Sequence, residues 1–109
     1  MRVWVIGAAR AGTEAIRQLQ KNKEIEIIVS DAAPDPPAVR EGLIARVDHV
    51  ETVTPINVNS LARRVRPDLI VIDSSGESQK YGRMSGGSEL SQALTYEIAA
   101  ASEFPCLVL

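Results

Sequence analysis

The sequence predicts an α/β fold, a five-stranded parallel sheet of order 3-2-1-4-5, doubly wound with helices on both faces. Two observations carry this. Short, continuous, β-branched apolar runs recur at residues 2–6 (RVWVI), 25–29 (IEIIV) and 69–72 (LIVI). Such runs, without polar alternation, are the mark of strands buried on both faces, as in a parallel sheet. Segments of helical period lie between them, and strand–helix alternation implies right-handed βαβ units. A chain of 109 residues holds one domain with a real core, here 1–109, and is too short for two.

The elements follow in order. Residues 2–6 form the first strand, placed at the centre. In 11–21, Gly12, Ala15, Ile16 and Leu19 share one helix face. Residues 25–29 form the second strand, and the stiff loop DAAPDPP (31–37) leads to a short helix within 36–45, since proline suits a first helical turn. A weaker strand is expected over 48–53 (DHVETV). Leu61, Ala62 and Val65 give 57–66 an apolar face, with Asn57 a suitable cap and Pro67 a stop. Residues 69–72 form the fourth strand. The polar loop 74–87 (SSGESQKYGRMSGG) is long enough to be either functional or a plain insertion. In 88–103, Leu90, Ala93, Leu94, Ile98 and Ala101 form a stripe capped by Ser88, and the closing PCLVL is the fifth strand.

Composition narrows the function. Hydrophobic residues at 45% and charged residues at 24% suit an ordinary globule. A net charge of −2 with dispersed basic residues gives no nucleic-acid footprint. One cysteine, Cys106, and one histidine, His49, exclude an internal disulfide and a cysteine or histidine metal cluster, so no metal site is expected. No apolar run approaches the roughly 20 residues of a membrane span, and no leader pattern precedes the first strand, which leads to the expectation of a cytoplasmic protein without membrane insertion. Trp4 and Cys106 are expected in the core, and His49 is read as structural or exposed.

The stretch GAARAG, residues 7–12, follows the first strand and opens the first helix. In the turn G-x-G-x-x-G the first glycine permits the tight turn and the second lets backbone approach a pyrophosphate. The third lets the helix pack close to the sheet. Gly7 and Gly12 match the first and third positions, and Ala9 stands at the second. The amides of Ala9, Arg10 and Ala11 would lie at the helix start, where free N–H groups favour anions. Asp31 ends the second strand nineteen residues after Gly12, where a carboxylate can accept from ribose hydroxyls; it equally suits an Asx turn.

On Gly7, Ala9, Gly12 and Asp31 the chain resembles the NAD(P)-binding Rossmann-fold superfamily. The resemblance implies a dinucleotide ligand, with NAD favoured over NADP because Asp31 would repel a 2′-phosphate. It places Arg10 at a phosphate or the adenine, though a solvated arginine reads equally well, and Arg40 near the same edge. Val53 and Thr54 resemble the adenine-lining stretch, and Ser74, Ser75 and Gly76 would face the pyrophosphate or the second ribose. Asp73 either points into that crevice or caps a loop.

Several activities lack their residues. No Tyr-x-x-x-Lys pair, G-x-S-x-G elbow or phosphate-loop motif is present. Lys80, Tyr81 and Arg83 in the long loop are the only obvious donors of proton or charge near the expected crevice, and they equally suit a solvated loop tip. RPDLIVID resembles the phosphoacceptor strand of response-regulator receivers, but Gly7, Ala8 and Ala9 stand where receivers carry their metal-binding acids. Three readings stay open. One is a regulatory or cofactor-binding module without complete catalytic machinery, resembling the nucleotide-binding domains attached to potassium channels. Another is an NAD-dependent oxidoreductase completed by a partner chain or further domain. The last is a CoA- or AMP-binding module. A homodimer through the fifth strand or last helix, with Leu107 and Leu109, is a further expectation.

Overall fold

The computed structural model describes the backbone of residues 1–75 and 87–109, and the side chains of 1–75 and 93–109. Nine elements alternate: β1 (Arg2–Ile6), α1 (Arg10–Leu19), β2 (Glu26–Asp31), α2 (Pro37–Arg40), β3 (His49–Val50), α3 (Val58–Val65), β4 (Leu69–Ile72), α4 (Gly87–Ala101) and β5 (Cys106–Val108). The strands form one sheet of order β3-β2-β1-β4-β5, parallel at every pairing. This is the Rossmann-like α/β order the sequence predicts.

The two faces of the sheet carry separate cores, because successive strand residues point to opposite sides. Trp4, Ile6, Ile70 and Ile72 join Val58, Leu61, Ala62 and Val65 of α3 and Ile98 of α4. Val3, Val5, Val29 and Val71 join Ile16 of α1 and Ala38 of α2 on the other side. Residues Val3 through Ile6 are 0–2% exposed, which explains why β1 reads as an unbroken apolar run. The one polar atom in that run, the Trp4 indole N–H, donates to Ser30 Oγ on β2 at 2.8 Å. At the sequence level Ser30 carried no such signal.

Three expectations need correction. The strand expected over 48–53 pairs only at His49 and Val50. Asp48 closes the gap beside it: its N–H donates to the Val29 carbonyl at 3.0 Å, and its carboxylate accepts from the Val29 N–H at 2.8 Å. Asn57 stands at the N-cap position of α3 but makes no capping bond. Its side chain turns back to the preceding loop, accepting from Thr54 N–H at 2.7 Å and donating to the Thr52 carbonyl at 2.9 Å. On α4, Ile98 is fully buried and Ala101 packs against the core as the stripe expects, but Ala93 is exposed and Thr95 takes a buried place instead. Ser88 falls inside α4, and its side chain, like that of Leu90, lies outside the described residues. Most of the loop 74–87, with Gly76, Lys80, Tyr81 and Arg83, also lies outside them.

Candidate functional site

The sheet order reverses between β1 and β4: from β1 the chain moves outward to β2 and β3, then returns to the other side of β1. In open α/β sheets this reversal leaves a crevice at the carboxyl ends of the strands. The turn GAARAG sits there, joining the end of β1 to α1.

Both glycines are dictated by geometry. Gly7 has φ 91°, a left-handed conformation that side chains strain. Its N–H donates to the Ser30 carbonyl at 2.7 Å, which ties the turn to the end of β2. Gly12 lies directly under Gly7: a Cβ on Gly12 would stand 2.0 Å from the Gly7 carbonyl oxygen. The third glycine thus serves the close approach expected of it. Ala9, at the second position, is the N-cap of α1 and is 9% exposed. Thr13 helps hold the turn by donating from Oγ1 to the Ala8 carbonyl at 3.0 Å.

An alanine cannot cap a helix with its side chain, and α1 is capped from elsewhere. Asp73, one residue beyond β4, accepts from the Gly12 N–H at 2.7 Å through Oδ2. Its Oδ1 accepts from Ser75 N–H at 2.7 Å and from Ser75 Oγ at 2.5 Å. Ser75 Oγ in turn accepts from the Ala11 N–H at 3.1 Å. The Arg10 N–H has no protein acceptor among the described residues. Asp73 caps the start of α1 and, through Oδ1, the loop at Ser75. It closes a helix 61 positions away, a contact no local pattern reveals.

Asp31 is 3% exposed and its carboxylate spans two loops. Oδ2 accepts from the Ala8 N–H at 2.8 Å, and Oδ1 accepts from the Ala33 N–H at 2.9 Å, an Asx turn. It is therefore beside the glycine turn, where the sequence puts it, and also a structural clasp. Each carboxylate oxygen keeps a further acceptor direction.

The remaining positions divide. The Arg10 side chain is exposed. It lines a groove of about 340 Å³ between α1 and α2, with Thr13, Glu14, Arg17, Pro37 and Glu41. Arg17 there is paired with Glu14 at 2.5 Å. Val53 is 2% exposed and packs in the core on the α3 side. Thr54 Oγ1 accepts from the N–H groups of Ile56 and Asn57, both at 3.2 Å, and so shapes its own loop. Ser74 Oγ donates to the Leu109 carbonyl. The turn thus gathers Gly7, Ala9, Arg10, Ala11, Gly12, Asp31 and Ser75, while Val53 and Thr54 serve the loop after β3. Among the described residues no group of three metal-ligating side chains occurs, and no helix is long and apolar enough to cross a membrane.

No protein-family model matches the chain, and no curated protein matches it in sequence. The site is therefore read from its own chemistry.

Proposed function

We propose that this chain is an adenine-dinucleotide-binding module of the NAD(H) type, holding its ligand at the carboxyl ends of β1, β2 and β4. One observation carries the reading. A turn with both of its structural glycines enforced, Gly7 at φ 91° and Gly12 under the Gly7 carbonyl, delivers the start of α1 to the point where the strand order reverses. That is where α/β sheets of this order take ligands.

In this reading the Arg10 N–H, which has no protein acceptor among the described residues, faces the pyrophosphate. The Ala11 N–H joins it only by releasing Ser75 Oγ, and the Ala9 methyl narrows the backbone approach without closing it. The Arg10 guanidinium covers a phosphate or the adenine. Asp31, already held in place by two amides, offers its remaining acceptor directions to the ribose hydroxyls. Its charge also disfavours a ribose bearing a 2′-phosphate, which selects NAD over NADP. A module with these parts binds without turning over. A second copy or a partner domain would supply any residues that chemistry requires.

Calorimetric titration with NADH, NADPH, AMP and CoA tests this, on the wild type and on Asp31→Asn. The asparagine removes the charge and keeps an acceptor for the Ala8 N–H, at the expense of the bond from the Ala33 N–H. NADH is expected to bind most tightly, and Asp31→Asn is expected to weaken NADH and narrow its advantage over NADPH. A preference for CoA, or an Asp31→Asn protein that binds NADH unchanged, would overturn the assignment.

A further inference from the structure

The nucleotide reading leaves one buried charge unused, the Asp73 carboxylate, which is 3% exposed. We propose that Asp73 determines phosphate selectivity at the glycine turn. With Ser75 it occupies the Gly12 and Ala11 amides of α1, which leaves a phosphate the Arg10 N–H alone of the first three helical amides, so the nucleoside part of a ligand contributes most of its affinity. The inference rests on the nucleotide-binding reading of the same turn.

The argument is one of donors and acceptors. A phosphate brings only acceptors, and helix starts attract it through free N–H groups. Here Gly12 N–H is given to Asp73 Oδ2 at 2.7 Å and Ala11 N–H to Ser75 Oγ at 3.1 Å. A phosphate reaching either amide must replace an acceptor already present. The two occupants differ in how firmly they are held. Asp73 is buried and accepts three bonds, at 2.7, 2.7 and 2.5 Å. Ser75 is only half-buried and holds Ala11 through the longest bond of the set. Ala11 is therefore the amide a phosphate can win, by displacing the serine hydroxyl, and Gly12 is the one it cannot.

Charge acts in the same direction. Asp31 ends β2 and Asp73 follows β4, the strands on either side of β1; both are 3% exposed, so the turn lies between two carboxylates. Repulsion between like charges in a partly desolvated crevice is less screened than in water. The cation on the turn itself, Arg10, lines the groove with Pro37 and Glu41 and offsets this charge only when a ligand draws its guanidinium across the turn. Hydroxyl groups, which donate, meet no such penalty at either acid.

The test compares a probe without phosphate to probes with it: adenosine, ADP and NADH, titrated into wild type, Asp73→Asn and Ser75→Ala. Asp73→Asn keeps an oxygen for the Gly12 N–H and removes the charge. It is expected to tighten ADP and NADH by about tenfold, the scale of one charge interaction in such a setting, and to leave adenosine unchanged. Ser75→Ala frees the Ala11 N–H and is expected to tighten the same two probes by a smaller factor. A loss of structure would instead weaken all three probes together, so the ratio of NADH to adenosine affinity is the deciding quantity. If Asp73→Asn does not fold, Ser75→Ala decides alone. Unchanged or weakened ADP and NADH binding, with adenosine still bound, would overturn the role of Asp73 and leave the nucleotide reading standing. Failure of every probe on all three proteins would overturn both.

Discussion

Gly12 shows how a single missing atom can hold a site together. Its absent Cβ is what lets the Gly7 carbonyl and the start of α1 share the same space, since the added atom would sit 2.0 Å from that oxygen and 3.0 Å from Asp73 Oδ2. Backbone cannot yield as a side-chain tip can. Gly12→Ala is therefore expected to cost about 3 kcal/mol of stability, the upper range for forcing an atom into filled space, measured by chemical denaturation. An unchanged midpoint would mean that α1 can slide away from β1. At this scale Gly7 and Gly12 were legible, because their spacing has a mechanical meaning. Asp31 was legible in position and in its Asx turn, since the bond from the Ala33 N–H is present. The cap by Asp73 and Ser75 was not legible. Ala9 at the N-cap gave no side chain to read, and the group that serves in its stead is brought there only by sheet pairing.

The elements record where local signals suffice. β1 and β4 match their expected bounds residue for residue, because each is an apolar run flanked on both sides in the sheet. β3 fell short because it lies at the edge, where pairing rests on two residues and a side chain completes the rest. Helix ends were harder than helix faces. Leu61, Ala62 and Val65 are buried as their spacing implies, yet Asn57 abandons the cap for the Thr52–Thr54 backbone. At the other end of α3, Arg66 takes φ 55° and ψ 57°, the left-handed closing position usually given to glycine. Its N–H still donates to the Ala62 carbonyl at 2.6 Å. Arg66→Gly is expected to stabilise the fold by about 0.5–1 kcal/mol, seen as a higher melting temperature. A lower one would show that the arginine side chain contributes more than its backbone costs.

For the molecule as a whole, the two cores are divided by the sheet, and Trp4 spans the seam chemically by bonding Ser30 within it. Cys106, on edge strand β5, is partly buried, and burial pushes its thiol from the usual 9.0 up to about 11. The sign follows from linkage: the folded thiol releases its proton at higher pH than the unfolded one, so this group's stability contribution is lost as pH rises from about 9 through 11. The thiolate is the reactive form. Labelling by a thiol reagent is therefore expected to be slower in the native protein than in the denatured chain, with the widest gap between pH 9 and 11. Equal rates would place the thiol in free solvent.

Asp48 has a consequence for how these molecules behave in a crowd. The stretch of β2 that β3 leaves uncovered would otherwise offer the Val29 N–H and carbonyl to any extended chain that came by. Asp48 occupies both groups with one residue, and the oxygen facing outward carries a charge. A strand pairing at Val29 would have to evict a carboxylate to form that rung. The short third strand is thus no defect in the sheet. It is preceded by an aspartate that already holds the backbone groups of Val29.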